Sequence, residues 1–123
     1  MRHDIYTMPD VVFVSGQSNT LRWRLFTASR TPFNADGCTG NFAVVDYSDQ
    51  TGEPLISKSL RFLVGDESGK KNIAEVDLEP RDTLELHGKY IYQITIKDID
   101  GEVEIPNQGF LQIAHNINEG FLK

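Results

Sequence analysis

Four carboxylates fall close together near the C-terminal end of the chain: Asp98, Asp100, Glu102 and Glu104. At that density carboxylates can hold a calcium ion, or divide general-acid and general-base work between them. An EF-hand loop needs glycine at its sixth position and a bidentate glutamate at its twelfth. Placing Gly101 at the sixth puts Ile96 at the first ligand position and Asn107 at the twelfth, so the register fails. A glycosidase pair needs an apolar pocket to raise the pKa of one carboxyl, and a solvated tip supplies none. The residues Asp98-Ile99-Asp100-Gly101 instead predict a turn, because Asp bonds to nearby backbone and Gly permits a positive φ.

Other chemistry-bearing residues are dispersed. His3, His87 and His115 lie far apart in sequence and form no HExxH or paired-ligand motif. Cys38 has no second cysteine for a disulfide or for zinc-ligand spacing, and reads as a small loop or core residue. There is no Gly-x-Ser-x-Gly elbow and no phosphate-binding loop. The expectation is a protein that is not an enzyme and uses no metal or cofactor.

The elements that must position these residues are strands. Tyr90, Tyr92, Ile94 and Ile96 recur at period two, with Ile91, Gln93, Thr95 and Lys97 on the other face; Val103 and Ile105 restart the alternation after the turn. In TLRWRLFT (20–27), Leu21, Trp23 and Leu25 share a face opposite Arg22, Arg24 and Phe26. NFAVVDYS (41–48) is apolar enough to predict burial on one side and partial cover on the other. LISKSLRFLV (55–64) predicts Ile56, Lys58, Leu60, Phe62 and Val64 facing inward, with Lys58 near a rim or bulge. In NIAEVDL (72–78), Ile73 and either Val76 or Leu78 are expected inward. Further strand material is expected at Ile5 and from Val11 to Val14. EPRDTLELHG (79–88) reads as a compact connection with one helical turn starting at Pro80, Leu84 and Leu86 capping one end. Pro106 and Gly109 predict a last strand that is bent, bulged or at an edge.

Six or seven such segments, separated by turn residues, predict an all-β sandwich, and 123 residues fit one domain, 1–123, with a short C-terminal tail. A formal charge of -6, from 12 basic and 18 acidic residues, argues against nucleic-acid binding. No stretch approaches a membrane span or a signal peptide, so the expectation is a protein that stays in the cytosol where it is made, with no membrane partner.

In DTLELHGKYIYQITIKD (82–98), the residues Asp82, Leu86, Gly88, Tyr90 and Tyr92 resemble the corner before the sixth strand of immunoglobulin-like domains. A tyrosine there buries its ring and returns its hydroxyl to the backbone, and Tyr90 is the residue for that role. More widely, SGQSNTLRWRLF (15–26) with GKYIYQITIKDIDGEVEIPNQGFLQIAHNIN (88–118) resembles the N-terminal immunoglobulin-like domain of phage baseplate upper proteins and related tail or fibre components. The resemblance implies an immunoglobulin-like antiparallel β-sandwich of about seven strands, acting as a structural subunit of a virion assembled in the bacterial cytoplasm. Partners would be other phage structural proteins and further copies of itself in a homo-oligomer. Baseplate upper proteins of that type continue into a helical linker and an attachment domain, whereas this sequence stops at Lys123, so tail, neck and head positions stay open.

Candidate contacts follow. Phe121 and Leu122 come after the last strand and either fold back over the sandwich or dock on another subunit. Phe33 and Asn34, in the long connection 28–40, are the candidate ligand loop. Trp23 reads as core, with Arg22, Arg24 and Arg30 solvated. The alternative to a structural subunit is a small glycan-binding module that stacks sugars on Phe26, Phe33 or Tyr47.

Overall fold

A computed structural model of the chain describes residues 11–26, 31, 33–65 and 69–122, backbone only at 106, 107 and 122. Expectations attached to His3, Ile5 and Arg30, and to the Leu122 side chain, fall outside the described residues.

Eight strands form among the described residues: β1 (Val11–Val14), β2 (Asn19–Arg24), β3 (Thr39–Asp46), β4 (Ile56–Ser59), β5 (Arg61–Leu63), β6 (Ile73–Leu78), β7 (Gly88–Lys97) and β8 (Val103–Ala114). One helical turn, α1 (Pro80–Thr83), joins β6 to β7. The strands make a large sheet, β1-β8-β7-β3-β4, and a small one, β2-β6-β5. That order matches the two layers of an immunoglobulin domain, strands G, F, C and C′ facing B, E and D. The fold is immunoglobulin-like.

Two details go beyond the antiparallel, roughly seven-stranded expectation. The edge strand β1 runs parallel to β8, from Val11 opposite Leu111 to Val14 opposite Ala114. The segment read as one strand, 55–64, serves both sheets: β4 pairs with β3, and β5 pairs with β6. The crossing happens at Leu60, which is buried and whose N–H donates to the Gly40 carbonyl at 3.0 Å. Gly40 makes the crossing possible, because a Cβ there would lie 2.6 Å from the Phe62 ring and 2.9 Å from the Leu60 side chain. Alternation holds through Leu60 and the half-buried Phe62 and then stops. Val64, expected inward, is exposed because β5 ends at Leu63.

Strand β6 corrects the expected register. Ala74, Val76 and Leu78 face the core, while Ile73 lies on the opposite face and is half-covered. Its side chain fills the space over Gly65, where a Cβ would come within 2.5 Å of it. Local cover by a loop therefore gave Ile73 its apolar character. Lys58 sits at inward parity on β4, but its ammonium reaches the rim, where it pairs with Asp82 and donates to the Asp77 carbonyl at 3.0 Å.

The centre of the sandwich is aromatic. Trp23 on β2, Phe42 on β3 and Tyr92 on β7 are all buried, with ring centroids 5.5 to 6.0 Å apart. In antibody domains a disulfide joins strands B and F, and the corner tyrosine precedes the second cysteine by two residues. Counting two residues on from Tyr90 reaches Tyr92, so this chain holds its two sheets together with rings where those domains use sulfur. Gly109 on β8, opposite Tyr92, leaves room for its ring: a Cβ would lie 2.9 Å from it.

At one end of the sandwich, Pro80 opens α1 and the Asp82 carboxylate accepts the Glu79 N–H at 2.6 Å. The buried Thr83 hydroxyl accepts the Gly16 N–H at 2.9 Å, tying α1 to the turn after β1. Strand β8 has an extra residue between Glu104 and Asn107, the bulge anticipated from Pro106. The bulge is tolerated because β1 pairs with β8 only from Leu111 onward.

Candidate functional site

The acidic stretch is the tip of the β7–β8 hairpin. One oxygen of Asp98, Oδ1, accepts the N–H groups of Asp100 at 2.8 Å and Glu102 at 2.9 Å, and Gly101 takes φ of 86°. The Asp98 carboxylate thus shapes the turn. Among the described residues, no three His, Cys, Asp or Glu side chains are grouped to hold a metal ion.

The loop carrying Phe33 and Asn34 meets this tip across a cleft of about 230 Å³, also lined by Asp36, Cys38, Asp98 and Glu104. Sequence spacing did not bring these two features together. Phe33 packs half-buried against the core, and the Asn34 side-chain oxygen accepts the N–H of Asp36 at 3.1 Å and of Lys71 at 3.3 Å. Both are occupied in shaping the loop. Burial pushes the Cys38 thiol above its ordinary pKa, and the carboxylates of Asp98, Asp36 and Glu104 push it further. A thiol held protonated by its surroundings is a poor nucleophile and a poor metal ligand.

The outer face of the small sheet is a charge ladder. Arg22 and Arg61 lie on either side of Glu75 and both pair with its carboxylate, leaving that side chain 6% exposed. Arg61 also contacts Asp77 at 2.8 Å, and the Thr20 hydroxyl donates to Asp77 at the same distance. These partners hold Asp77 at about 2, with the Arg61 hydrogen bonds the largest cause, and Arg61 lowers Glu75 in the same direction. The arginines flanking Trp23 face solvent as expected, but Arg22 is committed to a neighbouring carboxylate.

The outer face of the large sheet is different in kind. Strand alternation places Asn41, Ala43 and Val45 of β3, Ser57 and Ser59 of β4, Gln93 and Thr95 of β7, and Gln108 and Phe110 of β8 on this face. Val12 and Val14 extend it onto β1, 68% and 40% exposed. Asn41 donates to Ser57 at 3.0 Å, Gln108 to Gln93 at 3.1 Å, and Gln93 to Thr95 at 3.1 Å. No acidic side chain projects from it among the described residues, although the chain carries 18 of them. Its charges are Lys89 and Lys97. The Lys89 ammonium sits 4.3 Å from the Phe110 ring and 4.7 Å from that of Tyr47, whose centroids are 5.8 Å apart. Tyr47, a candidate sugar platform by sequence, is therefore already engaged by a cation.

Two contacts lie at the end of the sandwich near α1. Tyr90 is buried and its hydroxyl donates to the His87 carbonyl at 3.0 Å, while burial raises its pKa. His87 and His115, distant in sequence, stand edge to face with ring centroids 5.1 Å apart. Beyond β8, a 3-10 turn (Glu119–Leu122) presents Phe121, 82% exposed, close in sequence to Ile117, 97% exposed. Phe121 does not cover the sandwich.

No protein-family model matches the chain, and no curated protein matches its sequence. Among solved structures it is similar to CopC from Methylosinus trichosporium OB3b, at 12% identity and a TM-score of 0.48, over 89% of this chain and 87% of that one. It is also similar to murine CRIg, at 10% identity and a TM-score of 0.38, over 87% of this chain and 92% of the other.

Proposed function

We propose that the chain is a non-enzymatic structural component of a phage or prophage particle, in its tail or baseplate, and that copies associate through the outer face of the large sheet. The observation that carries the assembly reading is the charge contrast. A chain of net charge -6 repels its own copies, and the approach that costs least is through a face without carboxylates. Gln, Asn, Ser and Thr side chains each both donate and accept, so a face built from them can meet its own image across a two-fold axis.

The size of the face sets the strength. Five strands at about 4.8 Å spacing and about 25 Å of usable length give on the order of 600 Å² per copy, at the low end for specific interfaces. A contact of that size is weak alone and gains strength when many copies are held in one assembly. The virion setting is supported by the resemblance of residues 15–26 and 88–118 to phage baseplate upper proteins.

Sedimentation velocity over a range of concentrations tests the contact. The expected result is a reversible monomer–dimer equilibrium that Gln93→Glu shifts to monomer, because two like charges then face each other near the axis. A wild-type chain that stays monomeric at millimolar concentration removes the self-association reading. Mass spectrometry of purified particles from a host carrying the gene, with the functions of the flanking genes, tests the setting. Particles without this chain, beside neighbours that process polysaccharides, would favour the glycan-binding alternative.

A further inference from the structure

We infer that His87 and His115 form a two-imidazole binding site for a borderline divalent cation of the zinc type. His87 immediately precedes β7 and His115 immediately follows β8, and the antiparallel register, with Gly88 opposite Ile113, brings both to one end of the sheet. Their backbones are anchored. The Tyr90 hydroxyl holds the His87 carbonyl, while the neighbour of His115, Asn116, donates its backbone N–H to Ser15 Oγ at 3.1 Å and its side-chain amide to the Ser15 carbonyl at 2.9 Å.

The spacing of the rings fits a chelate. With a zinc–nitrogen bond of about 2.1 Å, an imidazole centroid lies about 3.2 Å from the metal, so two bound rings stand about 4.5 Å apart at a right angle and about 5.2 Å apart at a tetrahedral one. The observed separation is 5.1 Å. Both side chains are exposed, so each ring can turn a nitrogen toward a shared ion without disturbing the core, and water can fill the remaining positions. Imidazole nitrogen suits zinc, copper and nickel, and disfavours calcium and magnesium, which take oxygen ligands. With no third protein ligand grouped among the described residues, the site is open and binding is reversible. The overall negative charge of the chain favours a cation there.

Zinc chloride titrated into the full chain, followed by NMR of the histidine ring signals, tests the site. The expected result is that His87 and His115 shift together along one saturation curve and return when EDTA is added. His87→Gln should abolish the zinc-dependent shift of His115, and His115→Gln that of His87, with far-UV circular dichroism unchanged in both. Independent curves for the two rings, a shift in only one, or no shift in either would overturn the proposal, as would zinc effects confined to other residues.

Discussion

Trp23 on β2 and Tyr92 on β7 meet across the two sheets, with the indole N–H 3.4 Å from the phenolic oxygen and the ring centroids 5.6 Å apart. The hydrogen bond is long, so most of the stabilisation comes from buried ring area and ring–ring contact. Truncating the ring in Tyr92→Ala should cost about 3–5 kcal/mol, whereas Tyr92→Phe should cost only about 1 kcal/mol. Trp23 is the one tryptophan in the chain and is 2% exposed, so its fluorescence during urea unfolding reports both values directly. A loss below about 1 kcal/mol for the alanine variant would show that the trio does not join the sheets.

Tyr90 makes a different contribution. Its hydroxyl closes a local loop onto the His87 carbonyl at a site that is 6% exposed, so Tyr90→Phe leaves a covered acceptor without that donor. The expected cost is about 1 kcal/mol, read as a lowered melting temperature with the fold retained. No change on melting would mean that water replaces the hydroxyl.

The charge ladder predicts how stability responds to acid. Asp77 sits at about 2 in the folded chain against an ordinary 3.8, and Glu75 is lowered as well. Between those values the unfolded chain binds more protons than the folded one, so the stabilisation is complete above the ordinary carboxylate range and is lost as pH falls from about 4 toward 2. Urea midpoints measured across that window should fall with acid, and Asp77→Asn should flatten the fall. An equal slope in the variant would place the acid sensitivity elsewhere.

For the C-terminal turn, the exposure of Phe121 means that its ring does not serve as a cover for the sandwich. Phe121→Ser should therefore leave the melting temperature unchanged, within the small effects typical of surface positions. Weaker self-association in that variant would add the turn to the contact. A lower melting temperature would show that the tail closes over the core in solution.

Much of the fold was legible because period-two alternation survives wherever one face is buried, as along Tyr90, Tyr92, Ile94 and Ile96. The helical turn at Pro80 and the bulge near Pro106 were legible because proline constrains φ and donates no hydrogen bond. The change of sheet at Leu60 was hidden, since inward alternation runs through it without a break. Ile73 misled because a residue covered by a loop looks like a core residue. At the candidate sites, residue types were visible but company was not. The face without carboxylates gathers residues from five strands, and the His87–His115 contact depends on strand register, which short-range spacing does not encode.

The parallel pairing of β1 with β8 has a mechanical consequence. The chain enters β1 at Val11 and leaves β8 at Ala114, and because the strands run the same way, these points lie at opposite ends of the paired ribbon. Tension applied between the two termini then slides one strand along the other and loads its interstrand hydrogen bonds together in shear. An antiparallel pair would be opened from one end, one bond at a time. A strand of four residues can thus act as a force clamp, giving resistance to pulling that exceeds what its buried area alone suggests.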